Sequence, residues 1–249
     1  MLVDNYIITR FNLGIYDSKH YNSNEWMKDR LRLFETYCLP SIRNQTCKDF
    51  VWVLLIDSNT PKKIINKIED ICNGINIKIL IVDWNIPGRF GEKNHVQSWR
   101  KLLLNEFSES QDMIAMTRLD NDDALNIDFI KKIRSMSVSL KHGYVFDNPF
   151  GVIYDEKANK AYHITHPMGT PFITLINKYS WKMKTVYYSY HRAVAVKSKR
   201  FVNIKGLDYS WLIVVHSNNI SNSTYFEKTK DERVIKEVDW DSIKIRFGI

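Results

Sequence analysis

Three short apolar runs in the first half of this chain each end on an acid. Phe50–Ile56 runs into Asp57, Ile75–Val82 into Asp83, and Met113–Met116 into Thr117, Arg118 and the cluster Asp120, Asn121, Asp122 and Asp123. Runs of this length are buried strands when amphipathic helices separate them. Met27, Leu31, Phe34 and Cys38 share one helical face, and Pro40 is expected to stop that helix. Ile64, Ile68 and Ile71 mark a second helix, with Thr60 as its expected cap, Pro61 in its first turn and Asn73–Gly74 at its end. Val96, Trp99 and Leu103 mark a third, and Phe129, Ile130, Ile133 and Met136 a fourth, expected to be capped by Asn126. With Asn5–Phe11 as the first strand, the order β-α-β-α-β-α-β-α predicts an α/β fold, a Rossmann-type, mostly parallel sheet flanked by helices.

Acids at the ends of neighbouring parallel strands would converge on one sheet edge, and open α/β sheets bind ligands there. Three carboxylates within four residues repel one another, so Asp120, Asp122 and Asp123 need a cation or full exposure to water. Such an edge suits a nucleotide: acids for ribose hydroxyls and base N–H groups, and a metal for the diphosphate. Thr9 and Arg10, at the first strand's exit, join Asp57 and Asp83 as candidates for that pocket. Arg118 either pairs with Asp120 or reaches a phosphate.

After about residue 140 the pattern changes. Tyr144–Tyr154 and Ala161–Asn177 are strand-like and aromatic, interrupted by Pro149, Pro167, Gly169 and Pro171. This reads as a smaller mixed region continuous with the first half, without a linker. Trp211–Val215 is a compact apolar run leading into His216, and the tail Lys228–Ile249 reads as a docked helix or a mobile end.

The net charge of +8 points to an anionic partner. The excess is dispersed, with one denser patch at Lys197–Lys205. No recognition helix or zinc pattern accompanies it, so nucleic acid is not the expected partner. No apolar run approaches the roughly 20 residues that span a bilayer. Met1–Arg10 lacks the basic start and long apolar core of a secretory leader, and Cys38, Cys47 and Cys72 show no CxxC spacing. A cytoplasmic location is expected, with peripheral contact at an anionic membrane face left open.

Thr9-Arg10-Phe11, Leu39–Ile42 with Gln45-Thr46, Phe50–Asp57, the segment Thr117–Ala124 (TRLDNDDA) and Trp211–Asn219 together resemble the rhamnosyltransferase family, a group of GT-A-type nucleotide-sugar glycosyltransferases. The resemblance runs over most of residues 5–225, and TRLDNDDA is its most specific part. It implies a single GT-A-like domain over 1–249, with a nucleotide-sugar-binding half (1–140), an acceptor-side half (141–227) and a tail (228–249). It further implies transfer of a sugar, rhamnose by the family's name, from a nucleoside-diphosphate sugar to a glycan or glycolipid. Asp120 and Asp122 match the DxD acids that hold Mn²⁺ or Mg²⁺, the earlier acid contacting metal-bound water or the ribose. His216 matches a late third metal ligand. For the base that deprotonates the acceptor, Asp208 is the first candidate and Asp147 the second. Two rival readings use the same features: a Mg²⁺-dependent phosphoryl-transfer or nuclease enzyme exploiting the acids, and a nucleic-acid-binding module exploiting the basic surface.

Overall fold

The structure, a computed structural model, describes residues 3–13, 23–83, 93–107, 113–137, 142–166, 169–180, 182–189, 191–198, 200–217 and 236–249, with the side chains of 93–99 outside that description. Val96, Trp99 and residues 228–235 of the tail therefore lie beyond it. Val3–Arg10 (β1), Val51–Asp57 (β2), Ile77–Val82 (β3) and Met113–Arg118 (β4) form a parallel array in the order β4-β1-β2-β3. Thr174–Lys178 (β9) pairs antiparallel with β4, and Tyr144–Asp147 (β6) and Phe201–Asn203 (β10) complete a seven-stranded sheet. The chain is thus a mixed α/β fold around a mostly parallel sheet.

Both faces of the central strands β4, β1 and β2 are covered, which explains why they read as unbroken apolar runs, while the edge strand β3 is half-exposed. Ile7, Trp52, Leu54 and Ile56 pack on one face with Phe34, Ile68, Phe129 and Ile133. Ile8, Val53, Leu55, Ile114 and Met116 pack on the other with Leu103, Tyr187 and Val194. The first layer is supplied by helices Asn24–Leu33 (α1), Leu39–Arg43 (α2), Lys62–Ile71 (α3) and Phe129–Ser137 (α5). The second is supplied by Lys93–Glu106 (α4) and His191–Lys197 (α6).

Pro40 does not end its helix. The helical path runs from α1 through a π-helical turn, Phe34–Cys38, into α2, with Leu39 N–H bonded to Phe34 C=O. A proline removes one donor and crowds the carbonyl four residues back, so the wider turn just ahead of it relieves the clash and keeps the path continuous. Thr60 likewise is not the cap of α3. Pro61 takes that position, and the Thr60 hydroxyl accepts a hydrogen bond from Asn12 Nδ2 (2.8 Å). Asn126 stands ahead of α5, where its Oδ1 accepts from Asp128 N (2.9 Å) and its carbonyl from Phe129 N (2.9 Å).

A second sheet has the order β12-β8-β7-β11-β5, from Ala124–Leu125 (β5), Phe150–Asp155 (β7), Lys160–Thr165 (β8), Trp211–Val215 (β11) and Lys236–Val238 (β12). Both sheets draw strands from either side of residue 140. The end of the tail is a docked helix, Trp240–Phe247 (α7), whose Ile243 and Phe247 are buried against Val152, Leu212 and Leu33. Its cap is Asp239, which accepts from Ser242 N (2.9 Å). Gly151 in β7 sits directly under the Trp211 indole, where an added Cβ would stand 2.2 Å from the ring. Trp211 is fully buried, stacks on Phe172 at 5.3 Å and donates from Nε1 to Asn148 C=O (2.8 Å). That anchor sets the register of β11, and with it the height at which His216 leaves the strand.

Candidate active site

The parallel array places the exits of β1, β2, β3 and β4 on one edge, so Arg10, Asp57, Asp83 and Arg118 lie along it as the strand pattern requires. Past β4 the chain turns sharply, with Asp123 N–H bonded to Asp120 C=O (3.3 Å), and crosses as β5 into the second sheet. The acidic cluster is therefore the corner between the two sheets. β11 pairs with β5, and this pairing brings His216 to the same corner.

Asp122 is the centre of the corner. Its Oδ2 accepts from Arg30 Nη1 and stands 3.0 Å from His216 Nε2, and both partners are buried. Burial pushes its carboxyl up, but Arg30 and His216 outweigh that and hold it below the usual carboxylate range. Arg30 also donates to Asn121 Oδ1 (3.0 Å) and lies 4.7 Å over the Trp26 ring, while Asn121 Nδ2 donates to Phe11 C=O. Asp123 faces inward and accepts from Val214 N (3.1 Å), tying the corner to β11. Burial, with Asp122 and Asp120 alongside, pushes its carboxyl well above the usual range. A second clamp, just past His216's strand, holds α1 to β7: Arg32 reaches Glu156 twice (2.5 and 3.0 Å) and Tyr37 O–H donates to the same carboxylate (3.1 Å).

Asp120 turns the other way. Arg118 Nη2 donates to its Oδ2 (2.8 Å). The Arg118 and Arg10 guanidiniums lie 5.3 and 4.8 Å from the ring centre of Tyr187, whose hydroxyl donates to Ile8 C=O (3.0 Å). Arg118 is buried and its Nε has no hydrogen-bond partner. A buried N–H without an acceptor is costly, and here it sits beside a second guanidinium at the sheet edge.

The remaining candidates lie outside the acidic corner. Thr9 is fully buried, and its hydroxyl accepts from Trp52 Nε1 (3.0 Å), so it faces the core rather than the edge. Asp57 is buried too; Oδ1 accepts from Asn59 N and Nδ2 (2.8 and 3.0 Å), while Oδ2 carries no hydrogen bond. Asp83 is exposed just past β3. Asp147 is a structural strut: it accepts from Asn148 N, Gly169 N, Thr170 N and the Thr170 hydroxyl. Burial raises its carboxyl despite those bonds, and no oxygen is left for an acceptor hydroxyl. Asp208 is exposed and pairs with Arg246 (3.1 Å). All of β11, about 16 Å at about 3.3 Å per residue, separates it from His216. Neither acid is placed to serve as the base at this corner.

Arg30, Asn121 and Tyr187 are site residues that the sequence pattern passes over. Arg30 did leave a trace: Trp26, Arg30, Leu33 and Tyr37 recur at helical spacing, so a lone cation stands on a buried stripe and requires a counter-charge. Tyr187 leaves none, lying in a segment without periodicity.

The donor set, one carboxylate and one imidazole, is of the kind that ligates divalent ions. Asp122 and His216 are the two groups at this corner that could ligate such an ion, although in this structure they bond to each other and Asp122 Oδ2 also accepts from Arg30. Among the described residues no three His, Cys, Asp or Glu side chains converge as a ready cage. Two protein ligands, with substrate phosphates and water completing the shell, is how Mg²⁺ is ordinarily held.

Comparison with known proteins agrees with the resemblance in the sequence. A family model described as "Putative rhamnosyl transferase" matches residues 17–225. A search of curated proteins finds no match. Among solved structures, the inositol-1-phosphate CTP transferase of T. maritima aligns with a TM-score of 0.41 at 12% identity, over 90% of this chain and 94% of that one. The family match spans the acidic corner, Arg118 and Tyr187, and the strand that delivers His216, and on it the chain belongs to the rhamnosyl transferase family of glycosyltransferases.

Proposed function

We propose that the protein is a metal-dependent hexosyltransferase of the GT-A type. It would move a sugar, rhamnose by the family's description, from a nucleoside-diphosphate donor to a glycan or glycolipid acceptor. The observation that carries this reading is the placement of Asp122 and His216, 3.0 Å apart, at the carboxyl edge of the parallel sheet beside two guanidiniums. Asp122 and His216 would hold Mn²⁺ or Mg²⁺, with Asp120 reaching a metal-bound water or the ribose. When bound, the ion supplies Lewis-acid stabilisation of the departing diphosphate.

The chain's own residues do the rest. Arg10 and Arg118 bind the diphosphate oxygens. Tyr187 presents both guanidiniums by offering its ring as a common platform. Arg30 holds the Asp122 carboxylate ionised and aimed. Asp57 and Asp83 lie along the exits of β2 and β3, where a nucleoside would extend. No helix among the described residues is long and apolar enough to cross a membrane. With a net charge of +8, a glycolipid acceptor is compatible with peripheral docking at an anionic cytoplasmic membrane face.

The test is a thermal-shift panel of UDP, dTDP, GDP and CDP, each with Mn²⁺, Mg²⁺ or chelator. A ligand that binds the native state raises its apparent stability. The expected result is a metal-dependent shift for one nucleoside diphosphate, lost in Asp122→Ala. Folded protein that shifts with none of them would overturn the reading.

A further inference from the structure

The main sheet carries a second concave site on its opposite edge, independent of the reading above. The start of β6 and the end of β9 meet there, about 13 Å along the strands from the catalytic edge at about 3.3 Å per residue, because β9 runs antiparallel to both β4 and β6. These ends, with α6 and the segment before it, line an open cavity of about 290 Å³.

Its rim gathers Lys184, Lys197 and Arg200, and none of its lining residues is acidic. Among the described residues no carboxylate pairs with any of the three cations. Lys184 and Arg200 are positioned by neutral groups. Lys184 Nζ lies 4.6 Å over the Tyr188 ring, and Arg200 donates to His142 C=O (2.7 Å) and lies 5.5 Å over the Tyr144 ring. Ser198 and Asn177 also line the space, their side chains bonded to Gly143 C=O and Lys184 C=O, together with the apolar Val145 and Leu175 and the Tyr188 ring. Like charges cost free energy to assemble without a counter-charge, and an oxyanion with several acceptor oxygens supplies it. Lys197 and Arg200 belong to the denser basic patch visible in the sequence, and Val196 beside them is 62% exposed.

We propose that this cavity binds a phosphate ester, its phosphate among Lys184, Lys197 and Arg200 and its organic part on Val145, Leu175 and Tyr188. A phospholipid headgroup and a soluble phosphate ester share this chemistry, so the experiment carries an arm for each. The full chain is floated with phosphatidylcholine vesicles with and without phosphatidylglycerol, and titrated calorimetrically with glycerol 3-phosphate. Wild type is compared with K184A/K197A/R200A and with K62A/K63A/K131A, which removes the same charge from exposed lysines of α3 and α5. Arg10 and Arg118 are intact in all three proteins, so a loss confined to the K184A/K197A/R200A variant belongs to the cavity. The expected result is binding to at least one probe, weakened at least about tenfold in the cavity variant and near wild type in the control. Loss in vesicle binding identifies the lipid source, and loss in the titration the soluble one. No binding by wild type, equal binding by all three proteins, or equal weakening in both variants overturns the proposal.

Discussion

Asp122 Oδ2 and His216 Nε2 stand 3.0 Å apart although 94 residues of chain separate them. The contact exists because β5, two residues past Asp122, pairs antiparallel with β11, one residue before His216. If the pair holds the metal, His216→Ala should raise the Mn²⁺ concentration for half-maximal transfer by roughly 10–100-fold. Asp122→Ala should lower transfer at saturating metal by at least about a hundredfold. Initial rates across a metal titration check both, and an unchanged metal requirement in His216→Ala would remove it from the ligand set.

Arg30 is the buried counter-charge of Asp122, with 6% of its surface exposed. Arg30→Met should cost about 3–5 kcal/mol, since it strands a buried carboxylate. Adding Asp122→Asn to that variant should recover part of the loss, because the uncompensated charge goes with it. Urea midpoints for the two single variants and the double variant measure the coupling. Additive effects would mean that the pair is energetically idle.

Arg118→Lys keeps the charge at the sheet edge but loses the planar guanidinium fork. Affinity for the preferred nucleoside diphosphate should fall about tenfold or more, with little change in melting temperature. Calorimetric titration reads the first and a thermal melt the second.

Gly151→Ala tests the anchor beneath β11. The new methyl would meet the Trp211 ring at 2.2 Å, and that ring is held between Phe172 and the Asn148 carbonyl. A loss of about 2–3 kcal/mol is expected, a fall of roughly 4–12 °C in melting temperature for a chain of this size. Activity should fall further than stability alone explains, because β11 delivers His216.

His191 is expected to make the fold acid-sensitive. Burial, with Arg118 nearby, lowers its pKa from 6.5 to about 4, against a hydrogen bond with Gly169 C=O (2.6 Å). The unfolded chain therefore binds this proton more readily, and stability rises with pH between about 4 and 6.5. Above that window the group contributes no pH dependence; falling through it costs up to about 3 kcal/mol. His191→Asn, which keeps a donor for the carbonyl, should flatten the slope of unfolding free energy against pH across that window.

Much of the main sheet was legible because burial on both faces leaves a plain mark. Phe50–Ile56 reads as a buried strand between amphipathic helices, and the structure places it one residue later, at Val51–Asp57. Ile75–Val82 is a strand from Ile77 to Val82, but as the sheet's edge strand it buries only Val82. Pro40 and Thr60 misled for the same reason. A local signal was outweighed by a neighbour, the π-helical turn in one case and the Asn12 amide in the other. Thr9 shows the limit of reading a strand exit from position alone, since strand pleat turned its hydroxyl to Trp52.

By itself the sequence determined the α/β order, the acid at each strand exit and the pairing of a late histidine with the acidic segment by family resemblance. These are local or inherited properties, written in spacing and residue type. The tertiary structure alone decided which acids share a site. It sent Asp122 to Arg30 and His216, Asp120 to Arg118, and Asp147 into a closed hydrogen-bond net. Those choices depend on pairings between strands and helices far apart in the chain. A carboxylate carries no sequence mark of whether its oxygens will face water, a cation or the backbone.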